Sequence, residues 1–171
     1  LFALAEEAGG RLIRSRGYVL ILPAPGIAAE LLRPGTGPRP LGGPRAQPVI
    51  TAVDFDRGGA GVISGVAGAG QVLRVQVDGA EAAEGRSDAN GAFSVALSDQ
   101  LKPGAHTAVV RAQTDKGLSD PAQASFEVGP AAVPFTPPLT AQRTDTGWRL
   151  DWLTPGGGIQ TTIAFDTEPR A

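Results

Sequence analysis

Residues 86–113 read RSDANGAFSVALSDQLKPGAHTAVVRAQ, and two turns with two alternating strands inside this stretch decide the fold class. Asp88-Ala89-Asn90-Gly91 places aspartate at the favoured first position of a type I turn and glycine at the fourth, where a positive φ is needed. Phe93, Val95 and Leu97 then alternate with Ala92, Ser94 and Ala96, the two-residue period of a half-buried strand. Lys102-Pro103-Gly104 makes a second turn, and residues 106–113 follow as another strand with Val109 in a β-rich run. Adjacent strands with assigned faces imply a layer of a β-sandwich. They imply no reaction.

Outward from this stretch the same signals repeat. Residues 49–55, 61–66 and 71–77 read as strands, Asp78-Gly79 is a strong hairpin signal before residues 80–83, and residues 123–128 close the series. About seven strands at this spacing match a sandwich. The 24 glycines, 15 prolines and 5% aromatic content favour short strands joined by turns over helices. At 171 residues the chain can bury one good core, with a small appended unit. Three segments result: an N-terminal arm and linker over 1–47, a sandwich over 48–129, and a proline-rich linker with a β-meander over 130–171.

Within the sandwich, Ile63-Ser64-Gly65-Val66-Ala67 with Gly70, then Val75-Gln76-Val77-Asp78-Gly79, Ser87 to Phe93, Leu101-Lys102-Pro103-Gly104-Ala105-His106-Thr107 and Gly117-Leu118-Ser119-Asp120 follow one another in a recognisable order. In that order residues 49–128 resemble a bacterial immunoglobulin-like domain. The resemblance implies an all-β, Ig-like β-sandwich serving as a spacer, adhesin module or accessory domain, and it implies no activity. Adhesin stalks of this kind carry tandem repeats, whereas a single copy stands here.

In the arm, residues 2–8 have helical propensity and stop at Gly9-Gly10. Tyr18, Val19, Leu20, Ile21 and Leu22 form an apolar strand closed by Pro23 and Pro25, and residues 27–32 carry one more helical turn. Residues 33–48 read RPGTGPRPLGGPRAQP, a linker that cannot form a core. The meander has strands over 139–143, 147–153 and 158–165. Alternation puts Trp148, Leu150 and Trp152 on one face. Three strands bury two indoles poorly alone, so this face packs either on the sandwich or on another chain; tryptophan suits both.

Charge is uneven: residues 1–47 hold six arginines against three glutamates, and residues 48–128 hold six basic against ten acidic side chains. Without a cluster this is a poor footprint for nucleic acid or lipid. The absence of cysteine excludes disulfides and thiolate metal sites. No stretch approaches the ~18 apolar residues of a membrane helix. The chain starts at Leu1 and contains no methionine, so its natural start is expected upstream. The excess of arginine over lysine suggests a GC-rich bacterial source.

Chemical motifs fail one by one. Gly59-x-Gly61 is followed by Ser64 where a dinucleotide fingerprint needs glycine, and no Walker lysine follows. His106 is the lone histidine, and Ser64 in G-V-I-S-G is not a nucleophile elbow. Asp54 with Asp56, and Asp88 with Asn90, offer oxygen ligands, but the Asp88 segment lacks the distal glutamate of a calcium loop and turn hydrogen bonds account for it. Glu81 and Glu84 form no fixed pair. No catalytic, cofactor-binding or metal residue is assigned, and no cofactor is expected. The expected role is a non-catalytic, periplasmic or extracellular component of the bacterial cell envelope or a surface appendage, working through protein partners in a larger assembly. The candidate contact residues are Tyr18, Val19, Leu20, Ile21, Leu22, Trp148 and Trp152. The alternatives are a glycan-binding module stacking sugars on Trp148 and Trp152, or an accessory domain of a larger enzyme.

Overall fold

A computed structural model describes residues 2–22, 28–34 and 36–166. Within them the chain is all-β. In order come β1 (Phe2–Ala8), β2 (Arg11–Leu22), β3 (Ala28–Arg33), β4 (Thr36–Pro40), β5 (Val49–Asp56), β6 (Gly61–Val66), β7 (Val72–Val77) and β8 (Ala80–Arg86). They continue with β9 (Ala92–Ala96), β10 (Gly104–Thr114), β11 (Gly117–Leu118), β12 (Ala122–Val128), β13 (Leu139–Arg143), β14 (Gly147–Leu153) and β15 (Ile159–Phe165).

Three antiparallel sheets result. An N-terminal sheet has the order β1-β2-β3-β4, a central sheet the order β13-β14-β15-β5-β6-β9, and an outer sheet joins β8, β7 and β10, with β11 and β12 also pairing β10. Turn chemistry sets the registers: Asp78 and Gly79 both take positive φ (53° and 82°), the requirement of a type I′ hairpin whose twist matches its strands. Asp88 Oδ1 accepts the amides of Asn90 (2.8 Å) and Ala92 (3.0 Å), fixing the turn into β9.

The helical expectations for the arm are overturned. Residues 2–8 form β1, turned at Gly9-Gly10 with φ of 60° and 75° onto β2, from Ala8↔Arg11 to Phe2↔Val19. A two-turn helix is marginal alone, whereas pairing satisfies the backbone and overrides local propensity. In place of a second helical turn the chain forms β3, paired Tyr18↔Leu32 through Leu22↔Ala28; Pro23, Pro25 and Ile27 lie outside the described residues. The linker is not structureless either, because β4 lies within it and Pro38 and Pro40 are buried.

The central sheet is buried on both faces. On one, Val53, Phe55, Ile63, Ile163 and Phe165 join Leu73, Val75, Val110 and Phe126 of the outer sheet in the sandwich core. On the other, Leu150, Trp152 and Ala164 meet Leu20 and Leu32 of the N-terminal sheet. Burial on both sides explains why β5 is enclosed from Ile50 to Phe55 without alternation. The meander extends this sheet through β15, paired to β5 from Gln160↔Asp56 to Ala164↔Ala52.

Close approach of the N-terminal sheet depends on Gly37. A Cβ there would lie 2.1 Å from Ser94 Oγ and 2.5 Å from Val62 Cγ1. Gly37→Val is expected to cost about 1–3 kcal/mol by overpacking. Hydrogen exchange should quicken in β3 and β4 and stay unchanged in β10; uniform protection in the variant would contradict the contact.

Candidate functional site

Of the contact residues read from the sequence, Tyr18, Leu20, Trp148 and Trp152 come together at the seam between the N-terminal and central sheets, and alternation divides the β2 residues. Tyr18 and Leu20 face inward, and the Tyr18 ring meets Trp152 edge-on with centroids 6.2 Å apart at 80°. Trp152 is 1% exposed and donates its indole N–H to Thr162 Oγ1 (3.1 Å). Trp148 is half-buried on the same cluster, with the Arg143 guanidinium 5.6 Å above its ring. A sugar-stacking platform needs two exposed indoles, and Trp152 is enclosed in this packing. Nor is Tyr18 to Leu22 a free edge, because β2 pairs with β1 on one side and β3 on the other.

Val19 and Ile21 point away from the seam. Their cross-strand partners are Leu31 and Ala29, and Leu41 N–H bonds Ala29 O (2.7 Å), extending the same row. Ile21 is 41% and Leu41 49% exposed. Val19, Ile21, Leu31 and Leu41 therefore give the sheet an aliphatic outer face bordered by Arg39, which pairs with Leu31. The Leu22 side chain lies outside the described residues.

Two acids that the sequence reading did not connect lie buried at the seam. Asp54 accepts hydrogen bonds from Thr162 Oγ1 and Gln160 Nε2, yet burial pushes its pKa up to about 7. Glu30 is fully enclosed, and neither carboxyl oxygen has a hydrogen-bond partner. Burial raises it to about 7, with the neighbouring Thr51 hydroxyl offsetting a part; that hydroxyl's own hydrogen bond goes to Ser64 O (3.4 Å). No sequence signal marks Glu30, whose enclosure follows only from its pairing with Leu20 and Pro40.

The chain matches no protein-family model, no curated protein and no solved structure at a significant level.

On the opposite face of β14, Arg149 and Asp151 form a buried bidentate pair, both contacts 3.0 Å, and Arg149 Nη2 also donates to Gly129 O (2.7 Å). Thr161 Oγ1 donates to Asp151 Oδ1 (2.6 Å). This pair anchors the proline-rich segment over a cleft of about 590 Å³ lined by Phe55, Val128, Pro130, Val133, Phe135 and Ile159. The period-two alternation that put Trp148 and Trp152 on one face already placed Arg149 and Asp151 together on the other.

The remaining polar candidates are held in structural bonds. Asp56 Oδ1 accepts the Ala60 amide (3.0 Å), and Glu81 takes Gln76 Nε2 (3.2 Å). Among the described residues no group of three His, Cys, Asp or Glu side chains is gathered as a metal-ion cage would require. His106 stacks on Phe126 and has both ring nitrogens engaged, Nδ1 with Asp78 Oδ2 and Nε2 with Lys102 O, each at 2.7 Å. Donating to a carbonyl and a carboxylate together requires the imidazolium, and the Lys102 carbonyl, followed by Asp78, raises its pKa. A raised folded pKa gives stability that is full below the ordinary 6.5 and is lost as pH rises through the folded value. NMR titration of His106 should give a pKa above 6.5 that falls on Asp78→Asn; an unshifted value in both proteins would contradict the clamp.

Proposed function

We propose that this chain is a non-catalytic structural component of a bacterial cell envelope or surface appendage, built on an Ig-like sandwich and acting through protein contacts outside the cytoplasm. The Ig-like assignment draws support from strand order. Strands β5, β6 and β9 share one sheet and β7, β10 and β12 pair in the other, the distribution of strands A, B, E and C, F, G in immunoglobulin domains. Here β8 lies beside β7 in the manner of strand C′.

The observation that carries the contact role is the outer face of the N-terminal sheet. An aliphatic row of Val19, Ile21, Leu31 and Leu41, with Ile21 and Leu41 well exposed, is a surface suited to packing on an apolar partner. The contact set inferred from the sequence narrows to Val19 and Ile21, since Tyr18, Leu20, Trp148 and Trp152 pack on the seam inside the chain and the Leu22 side chain lies outside the described residues. A second copy of the chain offers the same aliphatic row, so a homotypic step is the first contact to test. Sedimentation velocity should show concentration-dependent association beyond the 17.4 kDa monomer, abolished by Ile21→Lys. A wild-type chain that stays monomeric at every concentration would contradict the assignment.

A further inference from the structure

We propose that the groove between edge strand β4 and the adjoining ends of β8 and β9 is an anion site that takes a phosphoryl group. The groove has a volume of about 350 Å³ and is lined by Arg33, Arg39, Arg86, Asp88 and Phe93, with small residues between them. Three arginines and one aspartate line it, an excess of two positive charges on a chain whose net charge is −2. A phosphomonoester carries about −1.5 to −2 at neutral pH, which matches that excess.

The existing contacts orient the cations without using them up. Arg39 Nη2 pairs with Asp88 Oδ2 at 2.9 Å on side chains that are 45% and 40% exposed. Asp88 Oδ1 is taken by the Asn90 and Ala92 amides, so this carboxylate is consumed by its own turn and by Arg39. Arg86 Nη1 donates to Gly70 O (2.6 Å), which restrains the guanidinium. Arg33 has no ion partner among the described residues. Planar guanidinium forks bind two oxygens of one oxyanion at once, where an ammonium offers a point charge. Gly37, Ala92 and the backbone beside Phe93 line the groove as small, low-profile positions, and a partly enclosed groove strengthens charge interactions relative to open water.

Two of the arginines come from the N-terminal sheet and Arg86 from the outer sheet. A bound anion therefore ties these sheets together and stabilises their docking by mass action.

The test is an NMR titration of the full chain with inorganic phosphate, glucose 6-phosphate and vesicles containing phosphatidic acid. Inorganic phosphate should give saturable shifts confined to Arg33, Arg39, Arg86, Ser87 and Asp88. Arg33→Gln and Arg86→Gln should each weaken binding about tenfold, the worth of one charged hydrogen bond. Arg74→Gln, exposed on the outer sheet, should leave it unchanged. Tighter binding of glucose 6-phosphate assigns the phosphoryl group to a sugar, and tighter binding of vesicles assigns it to a lipid headgroup. Absence of saturable shifts with all three probes, or equal weakening by Arg74→Gln, overturns the proposal.

Discussion

Replacing Trp152 by alanine is expected to cost about 3–5 kcal/mol and to loosen the N-terminal sheet while the sandwich core stays folded. The indole is 1% exposed and sits among Leu20, Leu32, Leu150 and Ala164, with Tyr18 edge-on. Few other apolar side chains hold this seam, so the cavity left by alanine has little around it that can collapse. The sandwich core draws on Val53, Phe55, Leu73, Val110 and Phe126 and does not include Trp152. Denaturant unfolding should therefore show an early loss of β2 and β3, with amide exchange in those strands rising well before exchange in β10. Trp152→Phe keeps most of the packing and loses the N–H bond to Thr162 Oγ1, a change of about 1 kcal/mol. A Trp152→Ala protein with undiminished protection in β2 would mean that the seam is not packed as described.

Stability is also expected to fall as pH rises through the range in which Glu30 loses its proton. The folded pKa of Glu30 stands at about 7 against an ordinary 4.5, so the neutral form is the one the fold accepts. Below the ordinary value the acid is neutral in both states and exacts nothing. Between the two values the unfolded chain ionises first, and the penalty grows; above the folded value it levels off. That interval corresponds to about 3 kcal/mol for Glu30. Asp54, raised from 3.8 to about 7, works in the same direction over an overlapping window. Asp78 opposes them at the acid end: its pKa is lowered, first by the Thr107 amide and then by His106, so its contribution is lost as pH drops below 3.8. Glu30→Gln should raise stability by about 3 kcal/mol near pH 8 and leave it nearly unchanged near pH 4. A variant curve parallel to the wild type across this range would show that Glu30 is solvated.

Local chemistry made the sandwich legible and left the third layer hidden. Asp78-Gly79 and Asp88 to Gly91 state their turns in two to four residues, and the strands flanking them lie where alternation put them. The Trp148, Leu150, Trp152 face was also readable, because period-two alternation needs no knowledge of the partner. What covers that face was not readable. Tyr18 and Leu20 lie more than a hundred residues away along the chain, and nothing in either segment names the other. The pairing of β15 with β5 is equally remote in sequence. Residues 2–8 were misread because alanine and glutamate favour helix when no partner strand is in view. Proline and glycine mark residues 33–48 as a linker that forms no core of its own, whereas Gly37 and Pro38 present the low profile that lets β4 lie against Val62 and Ser94. Glu30 was invisible for a simpler reason: an isolated acid in an aliphatic strand reads as a surface residue until both its neighbours are known.

The claim on which these points rest is that the N-terminal sheet docks on the tryptophan face of its own chain. The chain has one tyrosine and two tryptophans, so ring-to-ring nuclear Overhauser contacts can be assigned without ambiguity. Tyr18 ring protons should show cross-peaks to the Trp152 indole, and those peaks should persist on dilution, as an intrachain contact requires. Absence of the cross-peaks, with Tyr18 and Trp152 both accessible to solvent, would contradict the three-layer arrangement.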